Sequence, residues 1–192
     1  MATAKLDRRT EIRQTARKMF KERGYAATSM RDLAREVGIE AASLYNHLSS
    51  KEELLHEMCF DMAEQFFQAF SAAVAAEKTP SKKLRAAIKA HIHVIAANLD
   101  GSTVFFHEWI FLQEPELARF KKLRSQYEQG FREIVQKGIT DKDFKEVNVK
   151  LAVFTILSAL NATYDLYKSN EKLSEEEIAE SVSGLLLKGL KK

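Results

Sequence analysis

The chain has 192 residues, 45% of them hydrophobic, with seven Gly, two Pro and a single Cys. That length holds one large or two small domains with real cores, and one cysteine excludes an intramolecular disulfide framework and suits a reducing cytoplasm. The formal charge of +3 is uneven: residues 1–51 hold 4 Lys and 7 Arg against 2 Asp and 4 Glu, a net +5, which leaves −2 for the rest. A basic N-terminal quarter is what phosphate binding requires.

Residues 1–7 read as an arm without a signal-like apolar stretch. Lys5, with Arg8 and Arg9, could follow a phosphate backbone or a minor groove, or simply fray. A first helix is predicted over Arg8–Arg23, with Ile12, Ala16, Met19 and Phe20 as its core stripe.

Two short helices joined by a glycine turn come next, the pattern of a helix-turn-helix. Met30, Leu33, Ala34 and Val37 recur at helical spacing, with Thr28 or Ser29 as cap, and Gly38 takes the chain out of that helix. In the second helix Leu44 and Leu48 are the inward anchors. At about 100° per residue, Ala42, Ser43 and Asn46 lie opposite them, flanked by Tyr45 and His47. Small and amide-bearing residues at the centre suit base edges in a major groove, and longer donors at the margins suit the phosphate walls. Lys51 can add a charge at the start of the next helix. The expected DNA-binding set is Thr28, Ser29, Ala42, Ser43, Tyr45, Asn46, His47 and Lys51. Each taken alone would pass as an ordinary surface residue; the turn, the wheel and the charge together favour DNA.

Residues 8–55 resemble the DNA-binding domain of the TetR family of bacterial transcriptional regulators. The matching elements are Ile12-x3-Ala16-x3-Phe20, Gly24-Tyr25, Thr28-Ser29-Met30-x-Asp32-Leu33-Ala34, Val37-Gly38 and Leu44-Tyr45-Asn46-His47-Leu48-x2-Lys51-Glu52-Glu53-Leu54. The chain departs from the pattern at Glu40, where such proteins often carry a Ser or Thr cap, and at the bare Ala41-Ala42 that opens the second helix. Direct base contacts from that end are expected to be few.

A long helix follows from a capping box at Ser50-Lys51-Glu52-Glu53 and runs unbroken through Val74. It begins in the DNA-binding head and ends in the body, so it is the natural lever between them. His56 and Cys59 lie three apart on it, but no second pair at ligand spacing makes them a metal site. Thr79-Pro80 opens the next helix, to about Asn98, with Leu84, Ala87, Ile88, His91, Val94 and Ile95 inward. Asp100-Gly101-Ser102 then reads as a break. A sixth helix holds the aromatic block Phe105 to Leu112, and a seventh restarts at Glu114-Pro115 and ends at Gly138. His91 and His93 diverge on a helix, and Phe111 stands where an HExxH motif needs its second His, so no metal is expected.

The eighth helix, about Phe144 to Lys168, is apolar nearly all round, as a helix buried on two sides would be. Its run from Leu151 to Leu160 reads as too short to span a bilayer. Ser174 to Glu177 caps a ninth helix with Ile178, Val182, Leu185 and Leu186 as one stripe; Lys188, Lys191 and Lys192 complement its dipole. Two such helices exceed what one small body can bury and point to a homodimer through a four-helix interface.

In the C-terminal half, His107-Glu108-Trp109, Leu123-Arg124-x2-Tyr127-x3-Phe131, Leu160-Asn161-x2-Tyr164-x2-Tyr167 and Leu173-Ser174-x-Glu176-Glu177-Ile178-Ala179 resemble the ligand-binding domain of TetR regulators that sense acyl-CoA thioesters. Ala162 and Leu166 stand where that branch often has tryptophans. A hydrophobic effector is expected between Phe67, Phe70, Phe106, Trp109, Tyr127, Phe131, Asn161 and Tyr164, an acyl-CoA thioester among the candidates. Arg119, Lys121, Lys122 and Arg124 are either a solvated face or a seat for coenzyme A phosphates.

The expected fold is all-α, about nine helices: a three-helix helix-turn-helix head over 1–50, and a ligand-binding and dimerisation body over 51–192. The expected function is a cytoplasmic, ligand-responsive repressor, a homodimer on palindromic operator DNA, without cofactor, catalytic site or membrane span. A helical enzyme finds no triad order or phosphate loop in its favour, since Gly184-x4-Gly189 is followed by Leu190. A DNA-binding architectural protein without a ligand remains the other alternative.

Overall fold

The computed structural model describes residues 7–167 and 173–191. Lys5, Lys168 and Lys192, which enter the sequence reading, lie outside the described residues. The elements are α1 (Arg8–Arg23), α2 (Met30–Val37), α3 (Ala41–Leu44), α4 (Lys51–Ala75), α5 (Pro80–Ala97), α6 (Leu99–His107), a 3-10 turn over Trp109–Phe111, α7 (Glu116–Thr140), α8 (Val149–Leu166) and α9 (Glu175–Leu190). Among the described residues the only β pairing is an isolated bridge between Phe144 and Lys191.

The helices start where side chains can satisfy their first N–H groups. Ser29, Thr79, Asn148 and Ser174 each accept from the third helical N–H, with reciprocal capping boxes at Ser29–Asp32 and Ser174–Glu177. At α4 the box is offset: Ser50 Oγ accepts from Glu53, but the Glu53 carboxylate returns to the Ser49 N–H at 2.7 Å.

Packing divides the chain into two compact units. One runs to Met62 and takes in Asp100–Phe120; the other is Ala63–Leu99 and the residues from Lys121 onward. The first half of α4 belongs with the helix-turn-helix because Arg9 pairs with Glu53 and Glu57 at 3.0 and 2.6 Å, and Arg13 with Glu57 at 3.2 Å and with Asp61. In the second unit α5, α8 and α9 pack together around Leu84, Ile88, Ile92, Val153, Ile156, Leu160, Ile178 and Leu187.

Several boundaries differ from the sequence reading, each for a packing reason. Asp100-Gly101-Ser102 is no break; it lies in the first turns of α6. Gly101 is there because a Cβ would come within 3.1 Å of Met62 Sδ, so the glycine allows close approach and does not end a helix. The aromatic block does not continue as one helix: α6 stops at His107 and the 3-10 turn follows. Gly138 does not end α7, which reaches Thr140. Its missing side chain makes room for the buried Phe144, whose ring a Cβ would meet at 2.1 Å. Phe144 is therefore a loop residue, and α8 starts five residues later than expected.

The inward stripe of α9 is Ile178, Ala179, Ser183, Leu187 and Leu190. Leu185, expected in one stripe with Ile178, is 77% exposed. On α8, Val153, Ile156, Leu160, Thr163 and Tyr164 face inward, while Leu151 and Phe154 are 63% and 65% exposed. The helix around the Leu151–Leu160 run has 18 residues at mean hydropathy 1.2, long and apolar enough to cross a membrane, so length alone does not exclude a span.

Candidate functional site

The helix-turn-helix is built from local rules. Asp32 N–H donates to Ser29 Oγ at 3.1 Å; the Ser29 hydroxyl, and the Ser29 N–H at 3.3 Å, donate to Asp32 Oδ2 and hold the carboxyl below its usual range. Gly38 is left-handed at φ 75°, which lets its own N–H bond back to Ala34 and Arg35 while Ile39 N–H reaches Ala34 O at 3.0 Å. The chain emerges at α3, which is a single regular turn. Asn46 N–H then bonds Ser43 O and His47 N–H bonds Leu44 O, so Tyr45, Asn46 and His47 sit on tighter turns and not on the longer helix that the wheel assumed.

The anchoring nevertheless follows the wheel. Leu44 and Leu48 are buried, and Ala42, Ser43, Tyr45, Asn46 and His47 are all exposed. That presents one small, polar surface of groove-entering shape. Glu40, with extended backbone angles suited to a cap, makes no side-chain cap bond.

Three expected DNA contacts have internal duties. Thr28 is 2% exposed and its hydroxyl donates to Gly24 O at 2.9 Å. The Lys51 ammonium donates to Tyr25 O at 2.9 Å and Thr28 O at 3.0 Å, and stands 4.1 Å over the Tyr25 ring. The loop leaving α1 has carbonyls that need donors, and Lys51 supplies them, so this cation is not held out toward a phosphate. Ser29 is exposed, but its hydroxyl is engaged by Asp32. Much of the basic excess is likewise paired: Arg8 with Glu11, Lys21 with Asp100 and Arg35 with Asp32. Lys18 and Arg31 are exposed on α1 and α2.

The same loop is tied to the segment after α6. Tyr25 N–H donates to Glu108 Oε2 at 3.2 Å, and the Tyr25 ring stacks on Phe111 at 5.4 Å between centroids. Its hydroxyl meets Glu52 at 3.3 Å, and burial, reinforced by that carboxylate, pushes the phenol above its ordinary range. The position of the helix-turn-helix is thus fixed partly by residues more than 80 positions away.

In the second unit four rings form a continuous cluster. Tyr127 lies 5.5 Å from Phe67, 5.5 Å from Phe70 and 5.5 Å from Phe131, while Phe70 and Phe131 are 5.0 Å apart. At its polar centre His91 Nδ1 is 3.0 Å from the Tyr127 hydroxyl. Burial pushes the His91 ring down to about 3, with Asn161 acting in the opposite sense, so the imidazole is neutral at physiological pH. Burial also pushes the Tyr127 phenol upward. Tyr164 is buried on α8.

Phe106 and Trp109 belong to the other unit, where Phe106 meets Phe105 at 5.3 Å and Trp109 meets the buried Phe120 at 5.9 Å. The eight expected ligand residues are therefore divided between the two units. Arg119 is bonded to Glu116 at 2.8 Å and lies over Phe60; Lys121 and Lys122 are exposed. His56 faces Glu116 at 3.2 Å and stacks on Phe60, and Cys59 is buried.

Residues 12–58 match the family described as "Bacterial regulatory proteins, tetR family", and residues 77–190, more than half of the chain, match "Tetracyclin repressor-like, C-terminal domain". The chain belongs to the tetR family.

This tetR-family regulator is 27% identical over 185 residues to the HTH-type transcriptional repressor KstR2 of Mycolicibacterium smegmatis, covering 95% of the chain and 90% of the relative. Its fold superposes on the ketosteroid transcriptional regulator KstR2 of Mycobacterium tuberculosis with a TM-score of 0.91 at 24% identity, over 100% of this chain and 98% of that one. It superposes on AibR, solved in complex with isovaleryl coenzyme A and operator DNA, with a TM-score of 0.84 at 24% identity, over 94% and 98% of the two chains. It is a helix-turn-helix regulator of transcription.

Two residues of this tetR-family chain were missed as functional candidates. His91 was read only as core and as a failed metal ligand; a histidine on an otherwise apolar stripe was the available signal. Glu108 was noted only as part of a motif, and nothing local to it announces Tyr25 as its partner.

Proposed function

We propose that this protein is a homodimeric repressor that leaves its operator when a hydrophobic acyl thioester binds its body, working in the cytoplasm where its DNA lies. The observation that carries the DNA-binding part is the exposed Ala42, Ser43, Tyr45, Asn46 and His47 surface over buried Leu44 and Leu48. The dimer reading is supported by Leu151, Phe154 and Leu185, large apolar side chains left in solvent on α8 and α9, of which Leu151 and Leu185 line a groove of about 420 Å³ with Thr155, Leu186 and Gly189. An apolar face of that kind is covered by a second copy in a protein that binds two half-sites.

The effector reading is supported by the Phe67, Phe70, Tyr127 and Phe131 cluster and by AibR, which was solved with isovaleryl coenzyme A. Exposed Lys121 and Lys122 suit coenzyme A phosphates. The mechanism is a population shift. A dimer competent for DNA holds its recognition elements about 34–36 Å apart, one turn of the duplex. An effector that prefers another spacing lowers operator affinity by its differential affinity alone. The Tyr25–Glu108 bond gives the head a partner whose shift it must follow.

The test is release of the protein from a DNA duplex selected from a random pool, followed by fluorescence anisotropy. Acyl-CoAs of graded length, matching free acids and bare coenzyme A are titrated in parallel. Release by thioesters alone supports the reading. Equal release by free acids removes the coenzyme A contacts, and no release by any of them removes the effector.

A further inference from the structure

The helix-turn-helix contains three carboxylates, Asp32, Glu36 and Glu40, and two of them are engaged within the protein. Asp32 is bonded by Ser29, and Glu36 faces Arg23 at 3.8 Å. Glu40 is different. It is exposed, makes no side-chain cap bond to α3, and among the described residues its carboxylate has no hydrogen-bond or ion-pair partner. We propose that Glu40 is a specificity-determining residue, its carboxylate accepting a hydrogen bond from the N4 amino group of a cytosine in the major groove of operator DNA. The inference rests on the reading above in which the surface of Ala42, Ser43 and Asn46 enters the groove.

Leu44 N–H donates to the Glu40 carbonyl at 3.1 Å, so Glu40 is the residue that leads the chain into α3. In a helix-turn-helix this leading end of the recognition element is the part that meets base edges. Glu40 stands three residues before the exposed Ser43, the spacing of neighbours on a helix surface, and has extended backbone angles of φ −65° and ψ 142°. Ala41 and Ala42 after it carry one methyl each, so the carboxylate is the longest reach at this end of the element.

Charge then selects the base. A carboxylate brought to a duplex is repelled by the phosphates, and a serine or threonine would cap the same turn without that cost. When ionised it can only accept. In the major groove guanine shows N7 and O6 and thymine shows O4, all acceptors that would leave it unpaired. Adenine sets its N7 acceptor beside the N6 donor, whereas cytosine offers N4 with no acceptor of its own on that edge. Glu40 therefore gains a charge-assisted bond at cytosine and is penalised at the other bases, which is specificity by exclusion as much as by attraction.

The experiment is selection of duplexes from a random pool by the full-length wild type, Glu40→Gln, Glu40→Ser and Asn46→Ala, with thermal melts to show that each variant folds. Anisotropy then measures binding to duplexes with each of the four base pairs at the position where the Glu40 variants select differently. Wild type should prefer C·G there by about tenfold, the size of one hydrogen bond to a charged group. Glu40→Gln keeps the length but gains donors, and should shift the preference toward adenine. Glu40→Ser should lose the preference and bind unrelated DNA more tightly, because the repelled charge is gone. Replacing that cytosine by pyrimidin-2-one, which lacks the amino group, should weaken wild type about tenfold and leave Glu40→Ser unchanged. If one Glu40 variant fails to fold, the other decides. Selected sites identical for wild type and the Glu40 variants overturn the inference, with a uniform change of affinity then marking the carboxylate as a repelled charge only. A Glu40-dependent position that is not cytosine in wild type, or wild-type indifference to the missing amino group, overturns it as well. If Asn46→Ala also selects the wild-type site, the groove-facing reading falls too; if Asn46→Ala alone selects a new one, only the Glu40 inference falls.

Discussion

The backbone N–H of Tyr25 donates to the Glu108 carboxylate at 3.2 Å, across 83 residues of sequence. It joins the loop before the helix-turn-helix to the turn after α6. Glu108→Ala should lower the melting temperature by about 2–4 °C, for a loss near 1 kcal/mol in a chain of this size. It should also weaken DNA binding without changing its salt dependence, because Glu108 meets no phosphate. Anisotropy at several salt concentrations separates the two. A destabilised variant with unaltered DNA affinity would make the bond structural only.

Lys51 should behave differently from Tyr45 and Asn46. Since its ammonium is spent on Tyr25 and Thr28, Lys51→Ala should lower the melting temperature and leave the salt slope intact. A slope reduced by about 0.9 would instead mean that Lys51 turns to a phosphate on binding. Tyr45→Ala, at an exposed margin, should weaken all duplexes alike, and Asn46→Ala should relax sequence preference by roughly 1–3 kcal/mol if its amide pairs with a base.

Leu185→Glu and Phe154→Glu should give folded monomers that bind DNA poorly, because both side chains are mostly exposed in the single chain and their change disturbs no core. Sedimentation equilibrium with circular dichroism reads both properties. A wild type that sediments as a monomer at micromolar concentration would leave the apolar face without the proposed role.

His91 should make stability depend on pH. Its folded-state value is depressed to about 3 from 6.5, so below pH 6.5 the unfolded chain takes up a proton that the folded chain refuses. The contribution is fully present above pH 6.5 and is lost as pH falls toward 3, at no more than about 1.4 kcal/mol per pH unit. Urea unfolding between pH 7 and 5, above most carboxylate titration, should show the slope in wild type and a flatter one in His91→Gln. An unchanged slope in that variant would assign the effect to other groups.

What the sequence determined by itself was everything carried by neighbours a few positions apart. Ser29 with Asp32, Thr79 with Pro80, Ser174 with Glu177 and Gly38 after Val37 are contacts within one turn, and they were legible as spacing. The anchors Leu44 and Leu48 and the exposed residues between them followed from periodicity. The excess apolar surface of the last two helices was legible too, but how each helix divides it was not: Leu185, read in one stripe with Ile178, is exposed while Ile178 is buried. Tertiary structure decided what depends on distant partners. Gly101 and Gly138 looked like breaks because a glycine's backbone freedom is visible locally, whereas the Met62 and Phe144 side chains that need its bareness are not. Lys51 looked like a phosphate ligand until the loop carbonyls of Tyr25 and Thr28 claimed it. His91 gained its Tyr127 partner only when α5 and α7 were packed together. A sequence records the donors and acceptors a chain possesses; which of them meet is set by packing, because the entropy of closing loops of 36 to 83 residues is offset only by the whole core at once.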